Sequence, residues 1–216
     1  MNPRLALALT TAKKSQVPKA AIEAAMARGQ GLSATGAALE TVTLEAMLPP
    51  SVAAVIECQT DNKLRTLADL RLLIKDHGGT VSTVAYMFEK KGRVILQNKD
   101  GVSADDVLES AIEAGADDVQ ELDDGRVVLF TAPSDTKTIG EAVAAAMAME
   151  IAEADIIYDA NEDTLVALND AEAAERLGGF VDKVQELGGI QGVYLNWAKG
   201  ELPDEMWDEL AGKTAL

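Results

Sequence analysis

The chain has one cysteine, Cys58, and one histidine, His77, in 216 residues. A lone cysteine excludes an intramolecular disulfide. A lone histidine excludes any metal site built from several imidazoles and leaves a single imidazole base. Aromatic residues make up 4% of the chain, so the cores are expected to be small and rich in Ala, Val, Leu and Ile. No apolar run approaches the roughly 18–20 residues needed to span a bilayer, and no membrane span is expected. Met1–Leu9 lacks the charged-then-apolar order and the cleavage site of a secretory signal peptide. None of G-x-S-x-G, H-E-x-x-H, a Walker loop or G-x-G-x-x-G occurs, so no catalytic constellation and no cofactor cradle is visible. No enzyme activity, cofactor or metal is expected.

The two singletons have structural readings. Cys58 lies in the apolar run Val52–Gln59 and reads as a small buried hydrophobe. A reactive thiol would need an electropositive, partly exposed setting. A reducing or matrix-type compartment fits a single free thiol. His77 stands before Gly78-Gly79 at a helix end, where an imidazolium favours the negative end of the helix dipole.

A net charge of −17 argues against a polyanionic partner, but its distribution does not. Residues 1–31 carry Arg4, Lys13, Lys14, Lys19 and Arg28 against Glu23 alone, a net +4. Residues 52–99 carry a net +3, and residues 100–200 a net −18. The front is mildly basic and the back strongly acidic. The acidic part serves solubility, faces away from a polyanion, or steers toward a basic partner such as ribosomal protein.

Periodicity and punctuation give the organisation. Asn2-Pro3 starts a helix with Leu5, Leu9 and Ala12 on one face. Pro18 starts a second with Ile22 and Met26 apolar, closed at Gly29. Gln30–Thr41 reads as a linker, Val42–Met47 as a weak strand and Val52–Gln59 as a strong one. Asp61 is positioned to cap a helix over Lys63–Asp76, with Leu64, Leu67, Leu70 and Ile74 facing the core. Val81–Glu89 and Arg93–Gln97 read as strands joined by a turn at Lys90-Lys91-Gly92. A β-α-β-β-α-β unit follows, of ferredoxin-like order. Its first helix begins with a Ser103/Asp106 capping pair, its hairpin turns at Asp123-Asp124-Gly125, and its last strand is Ile151–Tyr158. Asn169 or Asp170 caps a helix to Glu186, and Val193–Trp197 is a strand. One helix and one strand are too little for a domain, so they complete the sheet begun earlier and make the middle unit an insertion. Pro203–Leu210 is a short helix or a mobile tail.

The remaining signals are weak. Asn98-Lys99-Asp100-Gly101 has no phosphate loop beside it and reads as a turn. Asp117-Asp118 and Asp123-Asp124 lack calcium-loop spacing. The best ligand surface is the basic set Arg4, Lys13, Lys14, Lys19 and Arg28 with Lys63, Arg65, Lys90, Lys91 and Arg93. Such residues contact phosphates and set affinity and salt dependence, not sequence choice. The bland alternative is a scatter of solvated charges.

Several runs together resemble the YebC/PmpR family, which includes mitochondrial translational activators of cytochrome c oxidase subunit I. They are Asn2–Leu5, Val17-Pro18-Lys19, Ala27-Arg28-Gly29, Glu57–Asn62 with Arg65-Thr66, His77–Gly79, Val84–Tyr86, Phe88–Gly92, Ala114–Val119, Thr131–Pro133 and Val193-Tyr194-Asn196. The resemblance implies an α+β, YebC-like three-domain architecture: a helical N-terminal domain (1–40), a split middle α/β domain (41–92 plus 165–200), an inserted ferredoxin-like domain (93–164), and a tail (201–216). Two departures stand out. The family's longer basic N-terminal segment is abbreviated here, and its Gly-rich loop is replaced by Leu44–Ser51. The resemblance implies a non-enzymatic translation factor that binds mRNA, ribosomal RNA or the ribosome, in the mitochondrial matrix. The alternatives are a DNA-binding transcriptional regulator in the bacterial cytoplasm, and a small-ligand-sensing regulatory protein.

Overall fold

The computed structural model describes residues 9, 12–32, 37–99, 101–122 and 124–214. In chain order, helix α1 (Lys19–Gly29) precedes strands β1 (Glu40–Leu48) and β2 (Val52–Thr60), helix α2 (Lys63–Asp76), and strands β3 (Thr80–Val81) and β4 (Phe88–Leu96). Next come α3 (Ala104–Ala114), β5 (Asp118–Glu121), β6 (Val127–Thr131), α4 (Thr136–Met147) and β7 (Ile151–Ala160). The chain continues through β8 (Val166–Leu168), α5 (Ala171–Gln185), β9 (Ile190–Leu195), β10 (Trp197–Lys199) and α6 (Asp204–Ala211). The fold is α+β. One antiparallel sheet has the order β3-β1-β2-β9, a second the order β5-β6-β4-β7, and β8 and β10 form a parallel pair.

β2 reads VAAVIECQT because it is covered on both faces. Val52, Ala54, Ile56 and Cys58 meet Leu70 and Ile74 of α2 and Phe180 and Val184 of α5. Ala53 and Val55 on the opposite face pack with Val84 and Phe88, joined by Tyr158 and Tyr194. Each large apolar side chain fully buried here contributes about 1.5–3 kcal/mol. The Cys58 thiol donates to Val42 O at 3.4 Å, and burial pushes its pKa up, with Glu57 adding to the effect. His77 caps α2 through Nδ1–H to Leu73 O at 2.9 Å and sets its ring edge-on to Phe180. Both singletons are therefore structural.

The second sheet has the split β-α-β connectivity of ferredoxin-like units. Val94, Leu96 and Leu129 pack under Val107 and Ala111 of α3 and Ile139 of α4. The Asp106 carboxylate accepts the Ser103 N–H at 2.9 Å and its hydroxyl at 2.8 Å, which holds the Asp106 carboxyl below the usual range.

The structure corrects five local readings. Lys90-Lys91-Gly92 is not a turn: it lies inside β4, which runs unbroken from Phe88. Gly92 is needed there because a methyl group at that position would strike the hydroxyls of Thr131 and Thr136. The expected strand Val81–Glu89 is instead β3, a 3-10 turn over Ala85–Met87, and the start of β4. That turn is held by Glu45, whose Oε2 accepts the N–H groups of Val84 and Ala85 at 2.7 and 2.8 Å. Leu64, expected in the core, is 83% exposed. Asn62, not Asp61, caps α2 by accepting the Arg65 N–H at 3.1 Å. Within Leu44–Ser51 only residues 49–51 turn, since 44–48 belong to β1. Of the helix expected from Asn2-Pro3, Leu9 and residues 12–14 are described and helical, while residues 2–8 and Asp123 lie outside the described residues. The expected tail helix forms as α6, with Leu210 buried and Trp207 edge-on to Trp197.

Candidate nucleic-acid interface

A cation is available to a polyanion only if the protein has not already neutralised it. That criterion divides the ten basic residues singled out by sequence; Arg4 lies outside the described residues. Lys90, Lys91 and Arg93 sit in β4 opposite Tyr158, Ile157 and Asp155 of β7. Lys91 Nζ is 2.8 Å from Asp159 and 3.3 Å from Glu89, and the hydrogen bond to Asp159 holds its ammonium above the ordinary lysine pKa. Lys90 Nζ is 3.8 Å from Glu57 and 4.9 Å from the centroid of the Tyr158 ring. The Arg93 side chain is 6% exposed, with Nη2 3.8 Å from Asp155. A buried charge persists only when paired. Lys91 and Arg93 are engaged within the fold, whereas Lys90, with 48% of its side chain exposed, holds only a long pair with Glu57; none of the three forms the exposed basic turn that the sequence suggests.

The others face solvent. Lys19 pairs with Glu23 at 3.4 Å and Arg65 with Asp61 at 3.7 Å. Such exposed pairs contribute about 0–1 kcal/mol and yield readily to a stronger anion. Lys13, Lys14, Arg28 and Lys63 are exposed and make no ion pair among the described residues. α1 buries no residue, so its cations stand on a helix that is mostly surface.

Two of these residues converge. Arg28 at the end of α1 and Arg65 in the first turn of α2 line one groove of about 300 Å3, with Gln59, Asp61, Asp69 and Gln191. The groove is shaped by a joint that the sequence makes rigid. Thr60 Oγ1 accepts both the Asn62 N–H at 3.0 Å and the Thr66 hydroxyl at 2.8 Å. Across from it Gly189 O accepts the Gln59 N–H at 2.8 Å. The positive end of the α2 dipole and two guanidiniums suit a phosphate oxygen, which arginine binds in a bidentate fork. Asp61 and Asp69 partly oppose this.

Sequence reasoning missed Arg71 and Lys75, which are exposed on α2 and unpaired among the described residues. Their i, i+4 spacing on a helix was the available signal. The acidic turns are internally engaged. Asp118 accepts from Val119 N and Gln120 Nε2, and Asp124 pairs with Arg126 at 2.7 Å. No group of three or more His, Cys, Asp or Glu suited to a metal ion occurs among the described residues, and no helix there is long and apolar enough to cross a membrane.

A family model for the second and third domain of TACO1/YebC proteins matches residues 39–197. The chain belongs to the TACO1/YebC family. Relatives include a probable transcriptional regulatory protein of Aeromonas salmonicida, 37% identical over 209 residues, covering 95% of this chain and 80% of the relative. Another, from Bifidobacterium animalis subsp. lactis, is 36% identical over 204 residues, covering 93% and 78%. The crystal structure of a conserved hypothetical protein from Aquifex aeolicus superposes with a TM-score of 0.71 at 32% identity, covering 93% of this chain and 82% of that one. The matched TACO1/YebC segment contains both four-stranded sheets. The basic residues Lys13, Lys14, Lys19 and Arg28 precede it.

Proposed function

We propose that this chain is a non-enzymatic regulatory protein that binds nucleic acid through its phosphates. The contact surface is the side bearing Lys13, Lys14, Lys19 and Arg28, continued across the groove by Lys63 and Arg65. The observation that carries this reading is the partition of cations: Lys91 and Arg93 in β4 are engaged with carboxylates of the fold, whereas those around α1 and the groove are exposed and free or weakly paired. In this reading residues 1–40 form the polyanion-facing unit. The ferredoxin-like unit, whose sheet begins at Phe88, carries much of the net −18 of residues 100–200 and projects away from the ligand.

The names of the bacterial relatives favour duplex DNA, transcriptional regulation and the bacterial cytoplasm. Translational activation in the mitochondrial matrix, with mRNA, ribosomal RNA or the ribosome as partner, rests on the resemblance alone and takes second place. α1, with the sequence KAAIEAAMARG, carries no Asn or Gln to read adenine edges, and only Lys19 and Arg28 could reach a guanine, so most sequence choice would come from shape or from other elements.

Fluorescence anisotropy with a labelled DNA duplex and a labelled RNA hairpin of equal length tests the reading. Duplex binding at low salt that weakens as salt rises is expected. Tighter binding of the hairpin would reverse the order of the two readings, and binding of neither would overturn both.

A further inference from the structure

We propose that the outward face of α2 docks on the outward face of α3 of a second copy of this chain, giving weak head-to-tail association. α2 turns Thr66, Leu70 and Ile74 into the core. The opposite stripe holds Leu64, Ala68 and Leu72 at i, i+4 and i+8, which stack on one side of a helix. Leu64 is 83% and Leu72 60% exposed. Scattered exposed leucines need no explanation, but these form one ridge with Arg71 and Lys75 in the same stripe. Asp69 and Asp76 lie on its far flank.

α3 presents the counterpart. Val107 and Ala111 face its core, and Leu108 and Ile112, at i and i+4, point outward, 41% and 63% exposed. The carboxylates edging this pair are Asp105, Glu109 and Glu113, all exposed.

Charge decides the occupant. Antiparallel pairing of α2 with its own copy sets Arg71 and Lys75 against themselves, and the same pairing of α3 sets three carboxylates against three. Only α2 on α3 joins an apolar ridge edged by cations to one edged by carboxylates. Within one copy both ridges remain open to solvent. Such a contact is heterologous, so each added copy leaves one α2 face and one α3 face free. Two helix faces bury well under the roughly 1,000 Å2 of a stable interface, so the association is weak. The net charge of −17 opposes it at low salt.

Sedimentation velocity at about 0.15 M salt, where the Debye length is about 8 Å, screens the long-range repulsion. Over roughly 10 μM to 1 mM the weight-average mass of the wild type should rise by about half or more above 22.8 kDa. Leu64→Glu and Ile112→Lys, both at exposed positions, should each keep the chain monomeric. An equimolar mixture of the two should form 1:1 dimers and stop there, because each variant retains one intact face. A wild type that stays monomeric throughout, single variants that associate like the wild type, or a mixture that does not dimerise would each overturn the proposal.

Discussion

Asn196 Oδ1 accepts the backbone N–H of Ala53 at 2.7 Å, joining residues 143 apart in sequence. The same side chain donates from Nδ2 to Thr164 O at 2.6 Å, and the Asn196 carbonyl accepts the Val166 N–H at 2.8 Å. Asn196 is 1% exposed. One residue thus ties β2 to the segment that returns from the ferredoxin-like unit through its side-chain amide, and to β8 through its backbone. A buried amide satisfied on both ends holds that junction in a single arrangement.

Replacing Asn196 with Ala leaves the Ala53 N–H and the Thr164 carbonyl short of a partner in a dry site. The expected loss is about 2–4 kcal/mol. Urea unfolding should show a lower midpoint with an unchanged slope, and the Ala53 amide should lose protection in hydrogen exchange. An unchanged midpoint would mean that the junction is held by apolar packing alone.

Gly189 has φ +92°, and a methyl group there would collide with the Gln59 carbonyl. Gly188, its neighbour, has nothing within 4 Å of the corresponding position. Gly189→Ala should therefore cost more than about 1 kcal/mol, and Gly188→Ala less than about 0.5 kcal/mol. Thermal unfolding of the pair reads this directly. Both glycines line the groove, but only Gly189→Ala must displace the Gln59 backbone beside it, so only that variant should also weaken polyanion binding at a temperature where both are folded.

The Tyr194 hydroxyl lies 3.4 Å from Ile156 O, and its ring is 5.4 Å from that of Tyr158. Burial, then the nearby Glu57 carboxylate, pushes its pKa from about 10 up to about 12. The folded state therefore keeps this proton where the unfolded chain loses it. Stability from this group is fully present below pH 10 and is lost as pH rises from about 10 through about 12. Tyr194→Phe should flatten the stability profile in that window, measured by urea unfolding at closely spaced pH values. A profile of the same slope in the variant would place the effect elsewhere.

Local signals were legible in the sequence wherever they sufficed. Lys63–Asp76 has the bounds read from its periodicity and its Gly-Gly stop, and Asp170 caps α5 by accepting the Ala173 N–H at 3.0 Å. The β-α-β-β-α-β order of the second sheet was also readable. The Asp61/Asn62 cap was a local misreading, but the larger ones share one physical cause, which is that what decides them is remote in sequence. Lys90-Lys91-Gly92 has the composition of a turn, but Asp159 pairs with Lys91 from 68 residues away and Thr136 presses on Gly92. The β8–β10 pair is too short to show a period, and neither strand has a turn signal linking it to the other. Leu64 continues the Leu67, Leu70 and Ile74 series by residue type, yet it lies on the stripe turned away from the core and is 83% exposed. In the candidate interface, composition supplied the basic set. It could not say which members were already neutralised, nor that Arg28 and Arg65 share a groove.

The dependence of duplex affinity on salt bears most directly on the phosphate-binding surface. Removing one cation that neutralises a phosphate lowers the slope of log affinity against log salt by about 0.9. Changing Lys13, Lys14 and Arg28 together to Gln should reduce the slope by about 2–3, whereas Lys91→Gln, whose cation is engaged with Asp159, should leave it unchanged. A triple variant with the wild-type slope, or a Lys91→Gln variant whose slope falls as much, would contradict the assignment.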